Sequence, residues 1–162
     1  MWILRDKTMK EYLKHDEWCI IEEGFNPENH KSSESIFSLG NGKMGHRANF
    51  EETYSGPTLQ GSYVAGIYYP DKTRVGWWKN GYTEYFAKVL ISAYWIGIGV
   101  KIDGYLFDLY TCQTENFTRT LNMQEGYIQR TFIAILDAGK KIKVDVKRFI
   151  SMADTENGDI RY

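Results

Sequence analysis

Residues 140–152 read "KKIKVDVKRFISM". From Lys141 to Lys147, the polar residues Lys141, Lys143, Asp145 and Lys147 alternate with Ile142, Val144 and Val146. A period of two puts the apolar set on one face of a sheet and the charged set in water. At Lys147-Arg148 two polar residues fall together before Phe149 restarts the apolar sequence, which predicts a β-bulge or a change of sheet there.

The surrounding chain repeats this strand-and-turn pattern. "EGYIQRTFIAIL" (125–136) and the loop "DAGKK" make a hairpin with the alternating run. "WIGIGVKIDGYLFDLYT" (95–111) reads as another hairpin, with Asp103-Gly104 at a tight turn that needs positive φ. "GSYVAGIYYP" (61–70) is a strand closed by Pro70, and "EWCIIEE" (17–23) and "ESIFSLG" (34–40) are earlier strands. The one helical piece expected is a short one near "TEYFAKVL" (83–90). About eight strands, turn signals between most of them and no long helix predict an all-β, antiparallel sandwich or barrel.

Composition narrows the function classes. The chain has 162 residues, enough for one domain, and 20 basic residues balance 21 acidic ones to a net charge of −1. That balance excludes a general electrostatic case for nucleic acid or an anionic membrane. The opening "MWILRDKTMK" lacks a signal-peptide core, and no apolar run approaches the roughly 20 residues that span a bilayer. With only Cys19 and Cys112 present, a disulfide-stapled scaffold is not expected, and a cytoplasmic location is the simpler reading. His15 and Cys19 are four apart, but His30, His46 and Cys112 are scattered singly, so neither a metal site nor a cofactor is expected. The aromatic content, 5 Trp, 12 Tyr and 8 Phe, fits a tyrosine-rich β core and also fits sugar stacking.

Chemistry-bearing residues concentrate in "LGNGKMGHRANFEE" (39–52). Glycines 40, 42 and 45 imitate a Gly-x-Gly-x-x-Gly phosphate loop, but no helical period follows them. A hairpin turn at Asn41-Gly42, with Gly45 relieving a tight approach, is the better reading. Adjacent Glu51 and Glu52 on an extended strand point to opposite faces, so at most one faces inward and they cannot form one acid–base site. Arg47 lies four residues before Glu51, on the same face if extended, which leaves a buried Arg47–Glu51 pair and a catalytic carboxylate as open alternatives. Trp77 and Trp78, adjacent in a Gly- and Lys-flanked loop, are candidates for sugar stacking or for sealing an interface.

Four ordered blocks carry a resemblance. "ESIFSLGNGKMGHRANFEE", "GSYVAGIYY", "LNMQEGYIQRTF" and "KRFISMADTENGDIRY" together resemble the N-terminal domain of family-65 glycoside hydrolases, the family of maltose, trehalose and kojibiose phosphorylases. "RVGWWKNGYTEYFAKVL" (74–90) looks like the maltose and kojibiose phosphorylase branch. The resemblance implies a galactose-mutarotase-like β super-sandwich over residues 1–162, incomplete here, from a longer polypeptide whose catalytic (α/α)6 barrel is absent. The family's general acid and phosphate site belong to that barrel, so the resemblance implies no catalytic residue in this chain. It makes inorganic phosphate a co-substrate of the parent enzyme only. Asn41, Gly42, Gly45, Arg47, Glu51 and Glu52 then form a structural and interface signature. The family commonly has Gly where this chain has Ala48, a strained position if positive φ is required there. Expected partners are the parent's own barrel, its disaccharide substrate and, through unpaired sheet edges, a second copy as a homodimer. Two other readings stay open: a free-standing carbohydrate-binding sandwich, and a small enzyme built on Glu51 or Glu52 with a second carboxylate roughly 5–9 Å away.

Overall fold

The computed structural model describes residues 12–73, 81, 83–136 and 139–162. Thirteen strands lie among them: β1 Leu13–His15, β2 Cys19–Glu23, β3 Leu39–Gly40, β4 Met44–His46, β5 Ser62–Val64, β6 Tyr68–Lys72, β7 Tyr85–Val89, β8 Lys101–Ile102, β9 Tyr105–Leu106, β10 Gln113–Asn122, β11 Tyr127–Ile135, β12 Lys141–Ile150 and β13 Gly158–Arg161. A 3-10 turn, Pro27–Asn29, leads into the one α-helix among the described residues, α1 His30–Ile36. Every strand pairing is antiparallel, and the fold is all-β as expected. The principal sheet has six strands in the order β1-β2-β10-β11-β12-β13, with smaller sheets β3-β4-β5, β6-β7 and β8-β9.

The anticipated bulge at Lys147-Arg148 does not occur. β11 and β12 pair in unbroken register through Gln129↔Lys147 and Ile128↔Arg148. The period of two simply continues, and Arg148 takes the buried position between Val146 and Ile150 while Phe149 points outward. The bulge lies instead in β10, between Glu115 and Thr118, where Asn116 adopts φ +53°. β10 itself escaped the sequence reading, because Thr, Glu, Asn and Arg dilute its apolar alternation.

Three further expectations are corrected. "ESIFSLG" is divided between helix and strand. Asn26 accepts a hydrogen bond from the Glu28 amide, and Pro27 opens the 3-10 turn, a start signal that outweighs the strand-like run behind it. "TEYFAKVL" is strand rather than helix: Tyr85, Phe86 and Val89 suit extended backbone, and β7 pairs with β6 to make a hairpin arm exposed almost throughout. Pro70 does not close a strand; it sits inside β6, which among the described residues pairs on one side only.

The core lies on one face of the principal sheet. Phe117, Phe132, Ala134, Val144 and Val146 meet Phe50, Phe107 and Leu109 from the covering segments, while Phe37 and Ala48 pack with Leu121 and Ile128 beside them. The Asp103-Gly104 turn has φ +52° and +87°, the left-handed pair its hairpin requires.

Candidate functional site

The inward face of the principal sheet carries an arginine on each of three neighbouring strands. Arg119, Arg130 and Arg148 each occupy the parity otherwise filled by Phe, Leu, Ile and Val, and each is almost fully buried. Register places Glu22 directly beside Arg119, and Arg119 directly beside Arg130. A buried guanidinium is tolerated only with its hydrogen bonds and countercharge supplied, so the covering segment must bring acceptors to these positions.

Residues 48–52 bring them. The chain at Glu51-Glu52 bends instead of running extended, so both side chains turn inward. Arg130 donates to Glu52 Oε1 and Oε2, each at 2.5 Å, and to Glu51 Oε2 at 2.7 Å. Arg148 donates to the other Glu51 oxygen, to Asn49 O at 2.8 Å and to Arg47 O at 3.4 Å. Phe50 lies beneath this pairing, with the Arg130 guanidinium 4.4 Å and that of Arg119 5.0 Å from its ring centre. The expectation that the two glutamates face apart is thus overturned, since it assumed strand geometry that this segment lacks.

A second cluster adjoins the first. Glu22 accepts from Ser33 Oγ at 3.0 Å and lies 3.2 Å from Arg119 Nε. Glu34, on α1, accepts from Asn49 Nδ2 at 2.7 Å, from the Leu59 amide at 2.8 Å and from the Thr58 hydroxyl. His30, one helical turn earlier, places Nε2 3.0 Å from Glu34 and stacks on Phe50 with centroids 4.3 Å apart. Helix, loop and sheet are therefore joined through buried polar groups as well as apolar contact.

Electrostatics argue against acid–base chemistry at Glu51 and Glu34. Burial pushes the Glu51 carboxyl up, but Arg148 and Arg130 outweigh it and hold the group below its ordinary value. Burial likewise acts upward on Glu34, and hydrogen bonds from His30, Thr58 and the Leu59 amide bring it down to about 2. A general acid needs the opposite displacement, so that it still carries a proton near neutral pH. His46 is lowered to about 4, first by burial and then by the Arg148 charge.

The anticipated signature residues separate into distinct tasks. Asn41 Nδ2 donates to Ser151 O at 2.7 Å and Thr155 O at 3.0 Å, while its Oδ1 accepts from the Lys43 and Met44 amides, so one side chain both shapes the β3–β4 turn and ties it to the β12–β13 loop. Gly42 has φ +86°, as that turn demands. Gly45 relieves no tight approach: an added Cβ would stand 3.5 Å from Leu39 O, an ordinary contact. Arg47 does not pair with Glu51. It donates to Leu59 O at 2.9 Å and Lys31 O at 3.0 Å, because Arg130 and Arg148 already occupy the carboxylate. Ala48 is buried without positive φ and carries no strain there. Trp77 and Trp78 lie outside the described residues. Sequence reading missed Arg119, Arg130, Arg148, Glu22 and Glu34. The available signal was parity, since Phe117-x-Arg119-x-Leu121, Ile128-x-Arg130-x-Phe132 and Val146-x-Arg148-x-Ile150 each set an arginine in phase with core residues.

The family model described as glycosyl hydrolase family 65, N-terminal domain, matches residues 20–162. The chain belongs to glycosyl hydrolase family 65. Maltose phosphorylase of Bacillus subtilis (strain 168) is 47% identical over 147 residues, covering 91% of this chain and 19% of that protein. Kojibiose phosphorylase of Halothermothrix orenii is 36% identical over 141 residues, covering 87% of this chain and 16% of that protein. A solved structure, the putative kojibiose phosphorylase from human microbiome, superimposes with a TM-score of 0.80 at 35% identity, covering 91% of this chain and 19% of the other. The family-65 chain thus spans under a fifth of the length of these relatives. Among its described residues, no group of three or more His, Cys, Asp or Glu could hold a metal ion, and no helix is long and apolar enough to cross a membrane.

Proposed function

We propose that this chain is the N-terminal, non-catalytic scaffold and interface domain of a disaccharide phosphorylase or hydrolase acting on α-glucosides. The observation that carries the reading is the sequestration of Glu51 and Glu52: buried and held by Arg130, neither can meet a glycosidic oxygen. Acid catalysis and the use of inorganic phosphate then belong to the remainder of the parent enzyme, in the cytoplasm. The exposed β6–β7 arm, with Tyr68, Tyr69, Tyr85 and Phe86 each about half exposed, supports the interface role, as aromatic surface marks protein contacts. Its partners are the parent's catalytic barrel and, in a homodimer, a second copy.

Incubation of the isolated chain with maltose, trehalose or kojibiose plus phosphate should release no sugar phosphate. Turnover that survives repurification and is lost in Glu51→Gln would overturn the reading. The exposed tyrosines also suit a carbohydrate-binding sandwich. Saturable quenching of aromatic fluorescence by millimolar oligosaccharide, lost in Tyr69→Ala, would favour that alternative.

A further inference from the structure

Three Asn-Gly dipeptides occur in the chain: Asn41-Gly42, Asn80-Gly81 and Asn157-Gly158. Such a pair carries its own electrophile and nucleophile, because the glycine amide nitrogen has no Cβ beside it and can reach the asparagine carboxamide. The fold treats the first and the last differently, and Asn80 lies outside the described residues. Asn41 is half-buried and its carboxamide is held at both ends, with Nδ2 donating to Ser151 O and Thr155 O and Oδ1 accepting from the Lys43 and Met44 amides. Asn157 is exposed, and among the described residues its carboxamide makes one hydrogen bond, from Nδ2 to Asp154 Oδ2 at 2.5 Å. Ser151 N donates to Asn157 O, so the alternation of the ladder turns the next amide, that of Gly158, away from β12. It faces the sheet edge, where β13 is the last strand among the described residues.

We propose that Asn157 is a self-modification site, where the chain deamidates through a cyclic imide while Asn41 is protected. The Gly158 nitrogen gives up its proton to solvent and attacks Asn157 Cγ. The new N–Cγ bond closes a succinimide ring, the Cγ–Nδ2 bond breaks, and Nδ2 leaves as ammonia with a proton taken from water. Water then adds to either ring carbonyl and opens it, giving an aspartate or an isoaspartate at position 157. The aspartate product sets a carboxylate against Asp154, where the amide now donates, in a segment that already carries Glu156 and Asp159. The isoaspartate product lengthens the backbone immediately before β13 and its Ile150↔Gly158 pairing. Asn41 ties this same loop to the β3–β4 turn, so the modification loosens a link between two sheets.

Ageing the chain in mildly alkaline buffer, followed by mass spectrometry of its tryptic peptides, tests the assignment. Peptides 32–43, 80–88 and 149–161 carry the three pairs separately. In the folded chain, conversion at Asn157 should outpace conversion at Asn41 by about tenfold or more, since four hydrogen bonds hold the Asn41 carboxamide and one holds that of Asn157. Isoaspartate should accumulate in peptide 149–161. In the urea-unfolded chain the two sites should convert at similar rates, because each is followed by glycine. The proposal fails if Asn41 keeps pace in the folded chain, if Asn157 converts only in urea, or if the difference between the sites persists in urea.

Discussion

Arg119 and Arg130 stand directly opposite each other across the β10–β11 ladder, on its buried face. Like charges in direct cross-strand register repel, so this placement persists only because each guanidinium has its own carboxylate: Glu22 for Arg119, and Glu51 with Glu52 for Arg130. The row Glu22–Arg119–Arg130 therefore behaves as one unit with the 48–52 segment.

Removal of one partner should cost far more than removal of the set. Arg130→Met leaves the buried Glu52 uncompensated and Glu51 with Arg148 alone, and should lower unfolding free energy by about 3–5 kcal/mol. Adding Glu52→Gln to that variant should recover part of the loss. Urea denaturation of the single and double variants checks this, and a double variant no more stable than the single would refute it.

Stability should fall as pH drops below neutrality, in two stages. His46 has a folded value of about 4 against an ordinary 6.5, so the unfolded chain binds the proton first and stability is lost as pH falls from 6.5 to about 4. The His46 share is worth about 3 kcal/mol and should be lost in His46→Asn, while His30, also lowered by burial, keeps a remainder of the stage. Glu34 and Glu51 are depressed carboxylates, so their contribution is complete above about pH 4.5 and is lost as pH falls further, for Glu34 toward about 2. Denaturant titrations at stepped pH separate the stages.

Asn41 should not tolerate its closest isostere. Asn41→Asp keeps the oxygen that accepts from Lys43 and Met44 but loses the two bonds donated to Ser151 and Thr155. A loss of about 1–3 kcal/mol is expected, and Gly42→Ala should cost about 1–2 kcal/mol through its left-handed backbone. Thermal unfolding of both variants provides the comparison.

Gly61 and Arg47 should act through one contact. A Cβ at Gly61 would lie 2.5 Å from Arg47 Cδ and 2.7 Å from Cγ, displacing the side chain that reaches Leu59 O and Lys31 O. Gly61→Ala should therefore mimic Arg47→Ala. The double variant should fall short of the sum of the singles by more than about 0.5 kcal/mol, read from a double-mutant cycle.

What the amino-acid sequence determined by itself is local. Alternation in 141–147, the Asp103-Gly104 and Asn41-Gly42 turns, and the ordered blocks of family 65 were all legible, because period and turn chemistry depend on neighbours along the chain. The tertiary structure alone decided which charges are inside. Arg148 looked like an interruption until register placed it in the core, and Glu51 and Glu52 looked divided until a bend turned both toward Arg130, 79 and 78 residues away. Pairings across that separation are chosen by burial and countercharge, since a guanidinium enclosed by the sheet must find carboxylates wherever the chain returns them.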